Sequence, residues 1–272
     1  MSKIAAIQMA SGPIVQGNLM EAARLIKKAA DKGADLIVLP ESFAIMAKTE
    51  EERVEIAEEE GEGGFIQDVL RQLAKSLGVW IVSGTIPLKT DDPKKSTASS
   101  LMYDNNGKQV ARYDKIHLFD VVLDGSGNDE VYNESATTVK GSDIVVVDTP
   151  FGKIGLSVCY DLRFPKLYRA MVEKGAEIFL IPSAFTDETG KAHWQPLLRA
   201  RAIENLAYVI APAQGGYHVN GRTTHGNSMV IDYWGRIIDS GKRGSDVIMI
   251  DIDLEAQKKA RKNFPVLKHR KL

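Results

Sequence analysis

Lys32-Gly33-Ala34-Asp35-Leu36-Ile37-Val38-Leu39-Pro40 has a near twin further along the chain, Lys174-Gly175-Ala176-Glu177-Ile178-Phe179-Leu180-Ile181-Pro182. In both copies an acid is followed by an uninterrupted apolar run that stops at a proline. A run without polar alternation suits a strand buried on both faces, the pattern of a sheet covered on both sides. Phe43 and Phe185 then fall in step at the same spacing from the glycine.

Two further pairs occur in the same order. Ser100-Leu101-Met102-Tyr103-Asp104 with Gly107-Lys108 resembles Ser228-Met229-Val230-Ile231-Asp232 with Gly235-Arg236, and Lys3-Ile4-Ala5-Ala6-Ile7-Gln8-Met9 resembles Lys153-Ile154-Gly155-Leu156-Ser157-Val158-Cys159. They indicate two related halves joined near 130–150, with a period far too long for a solenoid. Each half reads as a short strand (4–9; 153–158), an amphipathic helix (18–32; 165–174) and the buried strand (35–39; 177–181). A second helix (64–77; 191–206) and another strand (79–84; 207–212) follow. A hairpin then turns at Asn105-Asn106-Gly107 or Tyr233-Trp234-Gly235, the glycine supplying positive φ. The expected class is α/β. Two such halves packed sheet to sheet with helices outside would make a four-layer α-β-β-α sandwich with an internal pseudo-two-fold duplication.

The chain has 272 residues, of which 44% are hydrophobic, enough for a sizeable core. Lys plus Arg number 35 and Asp plus Glu 36, so the net charge of −1 gives no bulk attraction to nucleic acid or an anionic membrane. No apolar run approaches the roughly 20 residues needed to span a bilayer. The N-terminal Met-Ser-Lys leads straight into Ile4-Ala5-Ala6-Ile7 with no secretory pattern, so a cytoplasmic location is expected. The single cysteine, Cys159, excludes a disulfide within the chain and a multi-cysteine zinc site. The acidic run at 50–62 reads as a solvated helix face and loop. The basic stretch Lys258 to Lys271 reads as a surface tail or a tail crossing to a second subunit.

No phosphate loop, dinucleotide-binding glycine turn, His-Glu-x-x-His or Gly-x-Ser-x-Gly elbow occurs, so nothing calls for a nucleotide, a metal or a serine nucleophile. Cys159 closes a predicted strand, and Pro165 shortly after it suits the first turn of a helix. A thiol at such a turn faces helix N-terminal amides, which with a nearby cation lower its pKa and hold a developing oxyanion. Glu41, in Leu39-Pro40-Glu41-Ser42-Phe43, lies just past the carboxyl end of a buried strand, where α/β ligand sites form. Its counterpart in the second half is Ser183. Lys115 sits among apolar and aromatic residues in Tyr113-Asp114-Lys115-Ile116-His117-Leu118-Phe119, and Glu134 lies in the polar segment Asn133-Glu134-Ser135-Ala136-Thr137. Taken singly, a buried filler cysteine, a capping acid, a snorkelling lysine and a solvated acid would account for these four.

Together, Leu-Pro-Glu, Lys-Ile-His-Leu-Phe, Glu-Ser and Cys159-Tyr160-Asp161-Leu162-Arg163-Phe164-Pro165 closely resemble the nitrilase superfamily of carbon–nitrogen hydrolases. The resemblance runs from Ile4 to about Arg270 and implies a single carbon–nitrogen hydrolase domain over residues 1–272, with the superfamily's α-β-β-α sandwich and no cofactor. It further implies that Glu41 is the general base, Lys115 the lysine of the transition state, Cys159 the nucleophile and Glu134 the glutamate that orients the lysine, with Glu130 the rival for that last role. Glu41 would take the Cys159 proton, and Lys115 with a backbone N–H, that of Tyr160, would hold the oxyanion. Glu41 would then protonate departing ammonia and activate water against the thioester.

Tyr160-Asp161 after the cysteine resembles the amidase branches rather than the nitrilases, which carry Trp-Glu there. Pro182-Ser183-Ala184-Phe185, Ala192-His193-Trp194, Leu197 to Glu204, Ala213-Gln214 and the Leu-Arg-Phe-Pro after Asp161 resemble the branch acting on deaminated glutathione. The alternative is the ω-amidase branch, acting on 2-oxoglutaramate. Both substrates carry a 2-oxo acid head, for which Arg163 is the candidate partner, its guanidinium offering two parallel hydrogen bonds; its alternative is a structural salt bridge. The resemblance implies a homodimer or higher homo-oligomer, meeting through the helix after Cys159 and the stretch Trp194–Asn205. Outside the resemblance, a papain-like cysteine–histidine hydrolase using His117, His193, His218, His225 or His269, or a non-catalytic binding scaffold, are the rival classes.

Overall fold

The computed structural model describes residues 1–123 and 130–271. Within them the chain is a mixed α/β protein built on two large sheets. The first orders its strands as Asp246–Ile252, Ser2–Gln8, Leu36–Val38, Trp80–Val82, Ser96–Tyr103 and Ile86–Lys89, with Gln109–Asp114 and Thr138–Val139 also pairing with Ser96–Tyr103. The second orders Val146–Thr149, Gly152–Leu156, Ile178–Leu180, Tyr208–Ala211, Met229–Ile231 and Ile237–Ser240. In each sheet three central strands run parallel, with Ile4 opposite Leu36 and Leu36 opposite Trp80 in one, and Ile154 opposite Ile178 and Ile178 opposite Tyr208 in the other. Antiparallel strands flank both trios.

The uninterrupted apolar runs are buried on both faces, as their pattern predicts. Alternation along the first sheet sends Ile4, Ala6, Leu36 and Val38 into one core with Ile154, Leu156, Ile178 and Leu180 of the second sheet. Their neighbours Ala5, Ile7, Ile37 and Leu39 enter a second core with Leu25 and Ile26 of helix Val15–Asp31 and Leu70 of helix Phe65–Leu77. Leu19, Ala22, Leu25, Ile26 and Ala29 recur at the three- and four-residue spacing that lines one helix face. On the second sheet Tyr168 of helix Pro165–Glu173 packs edge-on to Phe179 at 5.1 Å. Pro165 opens that helix, where its missing N–H costs nothing.

The charged stretches are more engaged than their composition suggests. Glu58 accepts from the Ile66 and Gln67 backbone N–H groups at 2.6 and 3.2 Å, capping helix Phe65–Leu77, while Glu51, Glu55, Glu59 and Glu60 are exposed. The basic stretch is docked on its own chain. Arg261, in helix Leu254–Asn263, donates to the carbonyls of Leu206, Ala176 and Asn205, closing the ends of two second-half elements. No described helix is long and apolar enough to cross a membrane.

Candidate active site

Four chain segments converge at the carboxyl ends of the parallel strands. Glu41 follows Leu36–Val38, and Cys159 follows Gly152–Leu156. Lys115 follows Gln109–Asp114, and Glu134 opens a single 3-10 turn, Glu134–Ala136. Gly84 adopts φ 64° beside Pro40, where a Cβ would overlap the Pro40 carbonyl, so only glycine lets the Glu41 turn sit this close to its neighbour. Both turns are strained: Ser42, next to Glu41, has φ 55° and Cys159 has φ 46°, a region costing non-glycine residues about 1–3 kcal/mol. The surrounding hydrogen bonds hold that strain. Ser42 N donates to Thr85 Oγ1 at 2.8 Å, and Cys159 N donates to the Pro182 carbonyl at 2.9 Å.

Lys115 lies at the centre. Its ammonium donates to Glu41 Oε1 at 2.9 Å and to both Glu134 oxygens at 2.9 Å, with 2% of its side chain exposed. Burial alone would strip its charge, but the two carboxylates reverse that and raise its pKa. Burial likewise pushes Glu41 up, yet the Lys115 charge and hydrogen bond override it, and the carboxyl ends below its ordinary range. Glu41 also hydrogen bonds the Cys159 thiol. The thiol departs from the sequence expectation: burial and the facing Glu41 charge push its pKa well above that of an ordinary cysteine, against the opposing pull of Lys115 and the Ala184 N–H. A lone cation lowers a thiol pKa, but here that cation is already neutralised by two carboxylates. The free site therefore holds a neutral thiol beside an ionised carboxylate and an ammonium.

Glu41, Lys115, Glu134, Cys159, Tyr160 and Arg163 all line one cleft, with about 590 Å³ between its walls. Tyr160 is the second residue of the turn Cys159–Arg163, where a helical N–H has no partner within the helix. Arg163 lies over the Phe185 ring at 5.2 Å and the Tyr160 ring at 5.8 Å, and its Nη1 is 3.2 Å from His193 Nδ1. It pairs with no carboxylate among the described residues, so the structural salt bridge is absent there. The Glu130 side chain lies outside the described residues; its backbone is in strand Glu130–Asn133. None of the five histidines lines the cleft. His117 instead bonds Asp161 at 2.7 Å and stacks on Phe164. Among the described residues no three His, Cys, Asp or Glu side chains are grouped to hold a metal ion.

Several cleft residues carry no sequence signal of their own. Phe119, Tyr132, Arg53 and Arg222 line the walls. Gln214 of the second half donates to the Glu41 carbonyl at 3.0 Å and to Ser11 Oγ at 2.9 Å, tying the two halves behind the site. Asp161, quoted only as part of the cysteine motif, accepts from Tyr113, His117 and Val158.

The carbon–nitrogen hydrolase family model matches residues 3–262. The chain is 41% identical over 270 residues to a deaminated glutathione amidase of Yersinia enterocolitica, covering 98% of this chain and 92% of that one. It superposes on the C. elegans NitFhit protein with a TM-score of 0.91 and 36% identity, covering 99% of this chain and 65% of that one. It also superposes on Saccharomyces cerevisiae Nit3, a member of branch 10 of the nitrilase superfamily, with a TM-score of 0.89 and 29% identity over 100% of this chain and 97% of that one. A cysteine, two glutamates and a lysine meeting in one buried cleft thus stand in a chain matched over nearly its whole length, and the chain belongs to the carbon–nitrogen hydrolase family.

Proposed function

We propose that this protein is an amidase that cleaves deaminated glutathione through a thioester on Cys159. The observation that carries the chemistry is the contact chain Cys159–Glu41–Lys115–Glu134 inside one buried cleft. The substrate is suggested by the relative from Yersinia enterocolitica.

In this reading Glu41 takes the thiol proton as sulfur attacks the amide carbonyl. A thiol whose pKa lies well above that of Glu41 transfers its proton only as attack proceeds, so the base acts with the substrate bound rather than in advance. The carbonyl oxygen, gaining charge, is held by the Lys115 ammonium and the Tyr160 N–H. Glu134 keeps Lys115 protonated and aimed. Glu41 returns its proton to the departing amine, which here is that of cysteinylglycine and not ammonia. Water then loses a proton to Glu41 and attacks the thioester. Collapse releases 2-oxoglutarate, with the proton returning to the thiol. Arg163 takes the 2-oxo acid carboxylate beside the thiol.

The accompanying architecture is one domain forming a four-layer α-β-β-α sandwich duplicated about a pseudo-two-fold axis. It is supported by the matching parallel trios of the two sheets and by the core that their residues share. A homodimer is supported by apolar side chains left open beside helix Gln195–Asn205, among them Ile203 at 47% and Trp234 at 48% exposure.

The test is a side-by-side determination of kcat/KM for deaminated glutathione and 2-oxoglutaramate. The larger constant is expected for deaminated glutathione. A tenfold or greater preference for 2-oxoglutaramate would assign the ω-amidase activity instead, and turnover of neither would refute both substrates.

A further inference from the structure

Three arginines line the cleft, and their charges are not equally met. Arg53 pairs with Glu50 at 2.9 Å. Arg163 and Arg222 pair with no carboxylate among the described residues. Arg222 lies over the Tyr132 ring at 4.9 Å, and its Nε is buried without a hydrogen-bond partner. A buried guanidinium donor left unpaired is costly, and an arriving anion removes that cost. The face of an aromatic ring holds the guanidinium flat and leaves its donor edge free.

The two arginines stand on different walls. Arg163 belongs to the Cys159 turn and stacks on Phe185, next in the chain to Ala184, whose N–H reaches the thiol. Arg222 sits at the end of the hairpin Gly215–Tyr217 and Thr223–His225, whose Tyr217 and Val219 are 78% and 70% exposed, and its ring partner Tyr132 adjoins Val131, 70% exposed. Arg222 therefore belongs to the outer part of the cleft, and Arg163 to the part beside the reacting sulfur.

We propose that Arg222 is a second carboxylate subsite, binding the C-terminal carboxylate of an amide's leaving group while Arg163 binds the acid head. This rests on the substrate reading above and deepens it: the preferred class is an ω-amide with a carboxylate at each end, the scissile bond lying between two arginines. A two-residue leaving group spans roughly 7 Å when extended, a length that carries its carboxylate from the sulfur toward the outer wall. A simple ω-amide has no such group and gains nothing from Arg222.

The experiment compares wild type with Arg222→Met and Arg222→Gln on three substrates: deaminated glutathione, its analogue with the terminal carboxylate converted to carboxamide, and 2-oxoglutaramate. Loss of the charge-assisted contact should lower kcat/KM for deaminated glutathione about 30-fold more than for 2-oxoglutaramate, chiefly through KM. In wild type the carboxamide analogue should show a similar deficit, and in either variant no additional one, because each change removes the same contact. Equal losses on all three substrates, or additive losses with the carboxamide, overturn the subsite and leave the substrate reading intact. Failure of wild type to cleave deaminated glutathione overturns the substrate reading and the subsite with it. Arg222→Gln keeps a planar polar group over Tyr132, so a folding defect confined to Arg222→Met does not decide the question.

Discussion

Tyr113 donates its phenolic hydroxyl to Asp161 Oδ2 at 2.7 Å, joining the strand that leads to Lys115 to the turn that carries Cys159. Asp161 is fully buried, and it also accepts from the Val158 N–H at 2.8 Å and from the His117 N–H and Nδ1 at 3.0 and 2.7 Å. One carboxylate thus fixes the spacing between nucleophile and lysine.

Asp161→Asn should therefore damage the site out of proportion to its size. An amide turns one acceptor into a donor pair facing other donors, and each buried group left unpaired costs roughly 1–3 kcal/mol. We expect a lower urea midpoint and a fall in kcat of at least tenfold. Tyr113→Phe removes a single bond and should show a smaller loss of both. Near-wild-type kcat in Asp161→Asn would mean that the spacing is set elsewhere.

Cys159→Ala should abolish hydrolysis while the protein stays folded, since no other thiol exists in the chain. Removing a strained left-handed side chain that is 9% exposed leaves the strands on either side untouched. Residual activity within tenfold of wild type would exclude the thioester route.

Lys115→Ala should cost more than activity. A charge-assisted contact to an oxyanion in a dry site is worth roughly 3 kcal/mol or more, several orders of magnitude in turnover when the positioning is lost with it. It also leaves Glu41 and Glu134 facing each other without a cation, a break that typically costs 3–5 kcal/mol. Lys115→Arg should not rescue either property, because a planar fork cannot fill the place of a point charge between two carboxylates. Thermal unfolding with single-turnover kinetics measures both losses, and normal values in Lys115→Arg would show a site that tolerates the fork.

The strands and the Glu41, Lys115, Glu134 and Cys159 positions are legible in the sequence because each depends on local pattern: an apolar run, a proline stop, a motif of adjacent residues. The electrostatic state of the site is not local. The Cys159 pKa moves upward because Glu41, far away in the chain, shares the Lys115 charge, and no motif around Cys159 contains that information. Arg222 is equally silent, as its place depends on how a hairpin folds over Tyr132. Composition misleads where one member of a charged run turns inward. Glu58 reads as one more solvated acid and caps a helix, and Arg261 reads as tail and binds three carbonyls.

The pH dependence follows from the two shifts at the thiol. The folded Glu41 pKa lies below its unfolded value, so its contribution to stability is present above about pH 4.3, the ordinary glutamate value, and is lost as pH falls through the lower folded value. The acid limb of kcat/KM should accordingly fall below about pH 4.3 and vanish in Glu41→Gln, whose activity should be very low at every pH. In the free enzyme, thiolate ultraviolet absorbance should remain absent through about pH 8.5, where an ordinary cysteine is half ionised. Half-ionisation at or below that pH would indicate a preformed thiolate and contradict base-assisted attack.

The proposed dimer can be tested through one exposed side chain. Helix Gln195–Asn205 sends Leu198 and Ala202 into the core and leaves Gln195, Pro196, Arg199 and Ile203 facing outward along a shallow groove. Ile203 is 47% exposed in the single chain and packs beside Gly235, with Trp234 and Phe264 in ring contact 5.7 Å apart and each about half-exposed. An aspartate at 203 would place a charge among these apolar groups. On a free surface such a change alters stability by about 0.5 kcal/mol or less, whereas at the centre of a closed interface a desolvated, unpaired charge costs several kcal/mol. Sedimentation velocity at micromolar concentration should give a dimer for wild type and a monomer of unchanged fold for Ile203→Asp. A wild-type monomer would refute the dimer, and a dimer that survives Ile203→Asp would move the contact to another face.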